Sequence, residues 1–368
     1  MNRSILIMAG GTGGHVFPAL AVADYLREQK WNVVWLGTQN GMEAKLVPAR
    51  GYDMEWVKMS GVRGNGIAKW LMLPFSLLLA FKQALAVIRR RKPDVVLGMG
   101  GYASFPGGMM ASVMRKPLVL HEQNSVAGLT NRVLALFADT VLAGFPDAFS
   151  APTGNTLGRL LPKNKSALWC GNPVRSDIAA LPTPEKRFAA RAGNLRVLII
   201  GGSQGAKALN EALPEAFKLI PAAQRPEVVH QAGAAHIDAV EAGYQSAQVK
   251  ADVLPFIDDM AGRYAWCDLL VCRAGALTIA EITAAGIASV LVPFPAAVDD
   301  HQTGNAKFLS TAGAAILLPQ GEATPHKLAE ILTGMTREKL LTMAVAARYL
   351  AKPDATRITA EMCMKAAA

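Results

Sequence analysis

Short, almost wholly apolar runs recur along this chain, separated by longer segments in which apolar and polar residues mix. Ser4-Ile5-Leu6-Ile7-Met8 is the first, followed by Val33–Leu36, Asp94–Leu97, Pro117–Leu120, Thr140–Ala143 and Leu168–Cys170. A second series begins at Arg196-Val197-Leu198-Ile199-Ile200 and continues through Glu227–His230, Val249–Leu254, Asp268–Cys272 and Ser289–Val292. A run without polar alternation is what a strand buried on both faces looks like. The intervening segments read as helices, and strands alternating with helices predict mainly parallel sheets. Because the pattern restarts about halfway, the chain reads as α/β, with two Rossmann-like, doubly wound domains.

The boundary falls at the turn-rich stretch Gly171-Asn172-Pro173-Val174-Arg175, giving a first domain over 1–172 and a second over 173–352. Residues 151–166 read as a surface loop just before it. The helical tail from about Arg337 breaks at Lys352-Pro353-Asp354, and its last part, about 353–368, is expected to return to the first domain. One segment departs from the alternation: Trp70 to Phe81 is almost wholly apolar, with Lys69 before it and Lys82 and Arg89-Arg90-Arg91-Lys92 after it. It is shorter than the roughly 18–20 residues that span a bilayer. Two readings stay open: a core helix, or an interfacial helix with its apolar face in a membrane and its basic flank on anionic headgroups.

Composition narrows the class. A length of 368 residues suits two domains, and a 51% hydrophobic content lets each bury a core. The formal charge of +10 favours an anionic partner. No stacked-aromatic ribonucleoprotein pattern, zinc-finger spacing or dense basic tract points to nucleic acid. Cys170, Cys267, Cys272 and Cys363 form no CxxC pair and fit a reduced cytosol. Only five apolar residues precede the first glycines, too few for a signal peptide, so a cytoplasmic location is expected.

Both series open alike. The first run ends in Gly10-Gly11-Thr12-Gly13-Gly14-His15, and the second in Gly201-Gly202-Ser203-Gln204-Gly205-Ala206. A strand, a glycine turn and a helix N-terminus make an anion site, because backbone N–H groups point outward and glycine lets a phosphate approach. Neither turn is a dinucleotide fingerprint: Val16 and Ser203 stand where glycine is required, and no acidic residue ends Val33–Leu36. Ala206 and Ala208 break the Walker pattern. There is no Asp-x-Asp pair or His/Cys cluster for a metal. Phosphate charge would be met by backbone N–H groups, helix dipoles and basic side chains such as Arg175.

Polar residues cluster after other strands, at Gly98-Met99-Gly100-Gly101-Tyr102, His121-Glu122-Gln123-Asn124 and Arg273-Ala274-Gly275-Ala276. Ligands of open parallel sheets bind beyond the strands' carboxyl ends. Glu281, six residues past Gly275, can accept both hydroxyls of a ribose, or it is an acid complementing a helix dipole. His15, at a helix start, can serve as a base near neutral pH, or it is structural or touches phosphate.

The set GGTGGH (Gly10–His15), GMGGY (Gly98–Tyr102), HEQN (His121–Asn124), GNPVR (Gly171–Arg175), GGSQGA (Gly201–Ala206), FIDDM (Phe256–Met260) and Arg273–Glu281 resembles the MurG family. The motifs come in the family's order and span nearly the whole chain. Members add N-acetylglucosamine to undecaprenyl-pyrophosphoryl-muramyl-pentapeptide, turning lipid I into lipid II in peptidoglycan synthesis. The resemblance implies a GT-B architecture, two domains facing across a cleft, and an inverting, metal-independent transfer from UDP-N-acetylglucosamine with no cofactor. It places the donor at Thr12, Gly13, Gly14, Asn124, Arg175, Ser203, Ile257, Ala276, Leu277, Thr278, Ile279, Ala280, Glu281 and Gln302. Within that set Ile257 would lie beside the uracil through its backbone, Ser203 would meet the diphosphate, Glu281 the ribose and Gln302 the sugar hydroxyls. The acceptor's pyrophosphate would sit on Gly11 and the following turn and on Gly100, Gly101 and Tyr102, with His15 as catalytic base. Domain closure would exclude water. The protein is then expected at the cytoplasmic face of the inner membrane, held peripherally on its anionic surface, with other cell-wall enzymes as partners. The stretch 151–166 is longer than the family leads one to expect.

Two rivals remain. A UDP-N-acetylglucosamine epimerase on the same architecture would share the donor site without needing the apolar-basic segment. A solute-binding protein of two domains would carry an export signal.

Overall fold

The computed structural model describes residues 3–59, 67–150, 167–202, 204–297 and 300–368, and of 67–71 the backbone alone. The chain divides into two compact units, Met1–Arg175 with Pro353–Ala368, and Ser176–Lys352.

The first unit is built on seven parallel strands: β1 (Ser4–Met8), β2 (Asn32–Gly37), β3 (Asp53–Trp56), β4 (Val95–Gly98), β5 (Leu118–Glu122), β6 (Thr140–Ala143) and β7 (Leu168–Trp169). Their spatial order is β3-β2-β1-β4-β5-β6-β7. Ile5 and Ile7 join one core, with α1 (Gly13–Glu28) and the C-terminal helix Ala355–Ala366, whose Ala360 and Cys363 are fully buried there. Leu6 and Met8 point to the other core, with residues of α3 (Ile67–Arg91), α4 (Ser104–Val113) and α5 (Leu129–Leu134). Helices cover both faces, which is why the central strands carry no polar alternation. Between β2 and β3 lies the short α2 (Glu43–Ala49).

The second unit repeats the plan with β8 (Arg196–Ile200), β9 (Glu227–Gln231), β10 (Ala251–Leu254), β11 (Leu269–Cys272), β12 (Ala288–Leu291) and β13 (Ala315–Leu317), ordered β10-β9-β8-β11-β12-β13 and all parallel. In each sheet the order reverses once, between β1 and β4 and between β8 and β11. At such a switch point the flanking connections leave on opposite faces and open a crevice at the carboxyl ends. The two glycine turns leave β1 and β8, so each stands at its sheet's crevice.

The apolar segment after Lys69 belongs to α3, which continues to Arg91. Ala80, Ala84, Val87 and Ile88, spaced for one helical face, are buried against the sheet. Met72, Phe75, Leu78 and Leu79 are 62, 70, 54 and 44% exposed. The helix therefore buries one face and leaves part of another exposed. Phe81 stacks at 5.8 Å on Phe105 and faces inward. Arg90 and Arg91 are engaged by Glu55, and Arg91 also by Asp53, so the basic flank is already partly neutralised. Ser203 and the loop 151–166 lie outside the described residues. All four cysteines are buried and none forms a disulfide among the described residues.

Candidate active site

In the first unit the turn after β1 is shaped by a carboxylate that no motif announced. Glu43, fully buried, accepts from the Gly11 N–H at 2.9 Å, and from the Thr38 N–H at 2.9 Å and its hydroxyl at 2.8 Å. Space for it comes from glycine: a Cβ on Gly37 would stand 2.7 Å from the Glu43 Cγ. The Gly11 N–H is thus turned inward, away from any acceptor phosphate. What the turn presents is the start of α1, where the N–H groups of Gly13 and Gly14 have no intrahelical acceptor. Thr12, at the N-cap, is exposed and makes no side-chain cap.

The turn after β4 lies against the first. Gly10 N–H donates to Gly100 O at 3.3 Å, and the buried Ser104 hydroxyl bonds to Met8 O at 2.9 Å and Gly100 O at 2.7 Å. Gly100 and Gly101 have φ of +95° and +89°. A Cβ on Gly100 would come within 2.7 Å of the His15 ring, and one on Gly101 would enter the backbone of Gly10. Tyr102 is 48% exposed at the tip.

The polar cluster His121–Asn124, whose first two members end β5, turns mostly inward. Glu122 accepts from Asn124 N–H at 2.9 Å, Asn124 Nδ2 at 3.2 Å, Gly128 N–H at 3.2 Å and Asn131 Nδ2 at 2.8 Å, holding the turn before α5. Gln123 Oε1 lies 2.9 Å from His15 Nδ1, its Nε2 lies 3.2 Å from His121 Nδ1, and His121 Nε2 lies 2.9 Å from Gly171 O. Asn172 donates to Gln123 O at 2.9 Å, tying the hinge motif to this strand end. Burial pushes the His121 imidazole down to about 4, so it is neutral at working pH. Thus Gly11–His15, Gly100–Tyr102 and His121–Asn124 converge at the β1/β4/β5 ends. Arg175 is the last residue of this unit, beyond the buried Gly171-Asn172-Pro173.

In the second unit, Gly202 has φ of +85°, and its carbonyl accepts from Gln231 Nε2 at 2.8 Å. The same amide's Oε1 accepts from the Ile257 N–H at 2.9 Å. Gln231 therefore ties the glycine turn to the Ile257 loop and leaves the Ile257 carbonyl as that residue's backbone group for a base. Ala276, Leu277, Thr278, Ile279, Ala280 and Glu281 all lie in the helix Ala276–Ala285, which starts from Gly275 at the end of β11. Glu281 is in its second turn, and the first turn holds no acid. The dipole reading fails on that position, since the effect is confined to the first turn. Instead the nearly buried Glu281 Oε2 accepts from the Tyr264 hydroxyl at 2.8 Å. Burial, then the nearby carboxylate, raises the Tyr264 phenol well above its ordinary value, so it stays a donor.

Gln302 Oε1 accepts from Phe294 N–H at 2.9 Å and Ala274 N–H at 3.3 Å, so both of these bonds fall on the oxygen end of the amide. Arg273 turns to Val292 O, Pro293 O and Gln320 Oε1, and so fastens loops together rather than facing an anion. Glu43, Ser104, Gln231 and Tyr264 carried no sequence signal, since each acts on a residue far along the chain.

Two switch-point crevices, each with a glycine turn, are the frame of a GT-B glycosyltransferase. Residues 5–143 match the glycosyltransferase family 28 N-terminal domain, and residues 196–358 the family 28 C-terminal domain. A relative from Nitrosospira multiformis is 56% identical over 365 residues, covering 99% of each chain. One from Thiobacillus denitrificans is 57% identical over 363 residues, covering 98% of each. Both are named UDP-N-acetylglucosamine--N-acetylmuramyl-(pentapeptide) pyrophosphoryl-undecaprenol N-acetylglucosamine transferase. The crystal structure of Acinetobacter baumannii MurG superposes with a TM-score of 0.83 at 40% identity, over 99% of both chains. The chain belongs to glycosyltransferase family 28 and, within it, to the MurG family. A UDP-N-acetylglucosamine 2-epimerase from Neisseria meningitidis shares the fold alone, at 15% identity and a TM-score of 0.66.

Proposed function

We propose that this protein transfers N-acetylglucosamine from UDP-N-acetylglucosamine to undecaprenyl-pyrophosphoryl-muramyl-pentapeptide, with inversion, yielding lipid II. The observation that carries this reading is the pairing, at adjacent strand ends of one sheet, of a glycine turn for a diphosphate with a carboxylate for a ribose. The names of the full-length relatives support the sugar and the acceptor. The acceptor hydroxyl loses its proton to His15, and its oxygen pair forms the bond to the anomeric carbon. The bond from that carbon to the phosphate oxygen breaks, and its pair leaves with UDP. Developing charge on the diphosphate is met by backbone N–H groups at the glycine turn after β8, as dipoles already in place are effective. The acceptor pyrophosphate takes the N-terminus of α1, with Gly100, Gly101 and Tyr102 beside it.

The lipid acceptor stays in a bilayer, and α3 offers a means to reach it. Met72, Phe75, Leu78 and Leu79 form an exposed apolar patch, and Lys82 and Arg89 are exposed further along the helix. This suits peripheral attachment to the cytoplasmic face of the inner membrane.

The test is incubation with UDP-N-acetylglucosamine and a lipid-linked acceptor in detergent. UDP release that depends on acceptor, with an inverted linkage in the product, is expected. Isomerisation of the sugar without acceptor would return the epimerase reading.

A further inference from the structure

We propose that Gln123 and His121 are positioning residues that fix the tautomer of His15, holding its proton on Nδ1 and its lone pair on Nε2. A chain of contacts within one unit carries this assignment, which rests on the base role given to His15 above.

It starts at a group with no choice. The Gly171 carbonyl can only accept, so His121 Nε2, 2.9 Å away, carries the proton. His121 is fully buried and neutral, so its Nδ1 is then a lone pair. A lone pair needs a donor, and the group 3.2 Å from it is Gln123 Nε2. The same amide nitrogen donates to the His121 carbonyl at 3.1 Å. Two acceptors around one end of the amide settle which end is nitrogen. Gln123 Oε1 is therefore the atom that faces His15, 2.9 Å from Nδ1. An amide oxygen can only accept, so Nδ1 carries the proton and Nε2 is the basic atom.

Two further contacts keep the geometry. Asn172 anchors the Gln123 backbone at 2.9 Å, and Gly100 lies flat against the imidazole, with no room for a Cβ. When Nε2 takes the acceptor's hydroxyl proton, the Nδ1–H bond to the Gln123 oxygen becomes charge-assisted and stronger. The amide thus stabilises the imidazolium without adding a charge of its own. The second residue-pair function of the polar run after β5 is then clear: its first and third members reach His15, and its second holds the turn.

The experiment is nitrogen-15 NMR of histidine-labelled protein, with His15 assigned by its loss in His15→Ala, beside donor and acceptor kinetics. In the wild type the His15 ring should show protonated Nδ1 and unprotonated Nε2 near neutral pH. Gln123→Met should release the ring to the opposite tautomer and lower kcat by roughly 10–10²-fold, part of the 10²–10⁴ that a general base contributes. The donor KM should hold, because no donor contact is removed. Gln123→Glu keeps an acceptor oxygen opposite Nδ1 and should retain the His15 tautomer, while kcat recovers only in part because the donor to His121 Nδ1 and the His121 carbonyl is lost. A wild-type spectrum with the proton on Nε2 overturns the assignment whatever the activity. A folded Gln123→Met protein with unchanged tautomer and kcat overturns it too. Near-normal turnover in His15→Ala overturns the base role alone, since the spectrum reads the tautomer without catalysis.

Discussion

Removing the Glu281 carboxylate should weaken donor binding and unit stability by separable amounts. Oε2 accepts from the buried Tyr264 hydroxyl at 2.8 Å, and a carboxylate, with about four acceptor positions, can take a ribose diol as well as a phenol. Hydrogen bonds to a charged group contribute about 1.5–3 kcal/mol each. Allowing for water that replaces the side chain, Glu281→Ala should cost about 2–3 kcal/mol of donor affinity, roughly 30–150-fold in KM. The contact exists in ground and transition states alike, so kcat should change little. The same substitution orphans the Tyr264 hydroxyl, a cost of about 1–3 kcal/mol, or roughly 2–12 °C in the melting of this unit. Glu281→Gln keeps an oxygen for Tyr264 and one donor for the diol. It should melt within about 2 °C of wild type and raise KM only about tenfold. Tyr264→Phe keeps the carboxylate but removes its bond to the phenol, and should raise KM by roughly 3–10-fold. Donor saturation curves with a soluble acceptor analogue, read by UDP release, and calorimetry decide the matter. A folded Glu281→Ala protein with wild-type donor KM would refute the ribose role. A lower melting point with unchanged KM would leave Glu281 a purely structural partner of Tyr264.

Glu43→Ala leaves three donors without their acceptor and should lower the first unit's melting temperature by roughly 6–24 °C, at about 1–2 kcal/mol per donor after water enters; an unchanged melt would mean that the carboxylate does not hold the turn. Burial depresses His121 to about 4 and His230 to about 3, while the unfolded chain titrates near 6.5. Their contribution, roughly 3–5 kcal/mol each, is complete above pH 6.5 and is lost as pH falls towards those values; calorimetry of His230→Gln should show a flatter acid dependence in the second unit, and an unaltered slope would contradict it. Replacing Met72, Phe75, Leu78 and Leu79 by Ser should cut flotation with anionic vesicles by roughly 10²-fold or more, since each side chain contributes around 1 kcal/mol or more when buried in the interface. Arg89→Gln should weaken it about fivefold, and Arg90→Gln or Arg91→Gln less, because Glu55 and Asp53 already engage them; equal losses for all three arginines would mean that those ion pairs open at the membrane.

The central strands were legible because burial on both faces writes itself as an unbroken apolar run. Edge strands escape that rule. Asp53-Met54-Glu55-Trp56 alternates acid with apolar, and Ala315-Ile316-Leu317 is too short to stand out, so β3 and β13 had no signal of their own. The apolar stretch after Lys69 hid a different fact. Its residues look uniform, yet the buried positions 80, 84, 87 and 88 and the exposed 72, 75 and 79 belong to different faces of one helix. Periodicity can separate those faces only when the whole length to Arg91 is taken as one element.

The turns of the candidate site were legible in the sequence, and the side chains that support them were not. Glycine turns after strands mark where a ligand sits, because backbone geometry there is local. The supports are not local: Glu43 reaches Gly11 across 32 residues, Gln231 reaches Ile257 across 26, and Gln123 reaches His15 across 108. Only the sheet order brings such pairs together. The run His121-Glu122-Gln123-Asn124 shows what this means. Four polar residues at a strand end invite the expectation of four ligand contacts. Three of them turn inward instead, where Glu122 closes a turn and His121 and Gln123 lead to His15. On the proposed tautomer their chemistry would reach a substrate through the one imidazole they contact, and a polar cluster at a parallel strand's end would then be functional while most of its members touch nothing but protein.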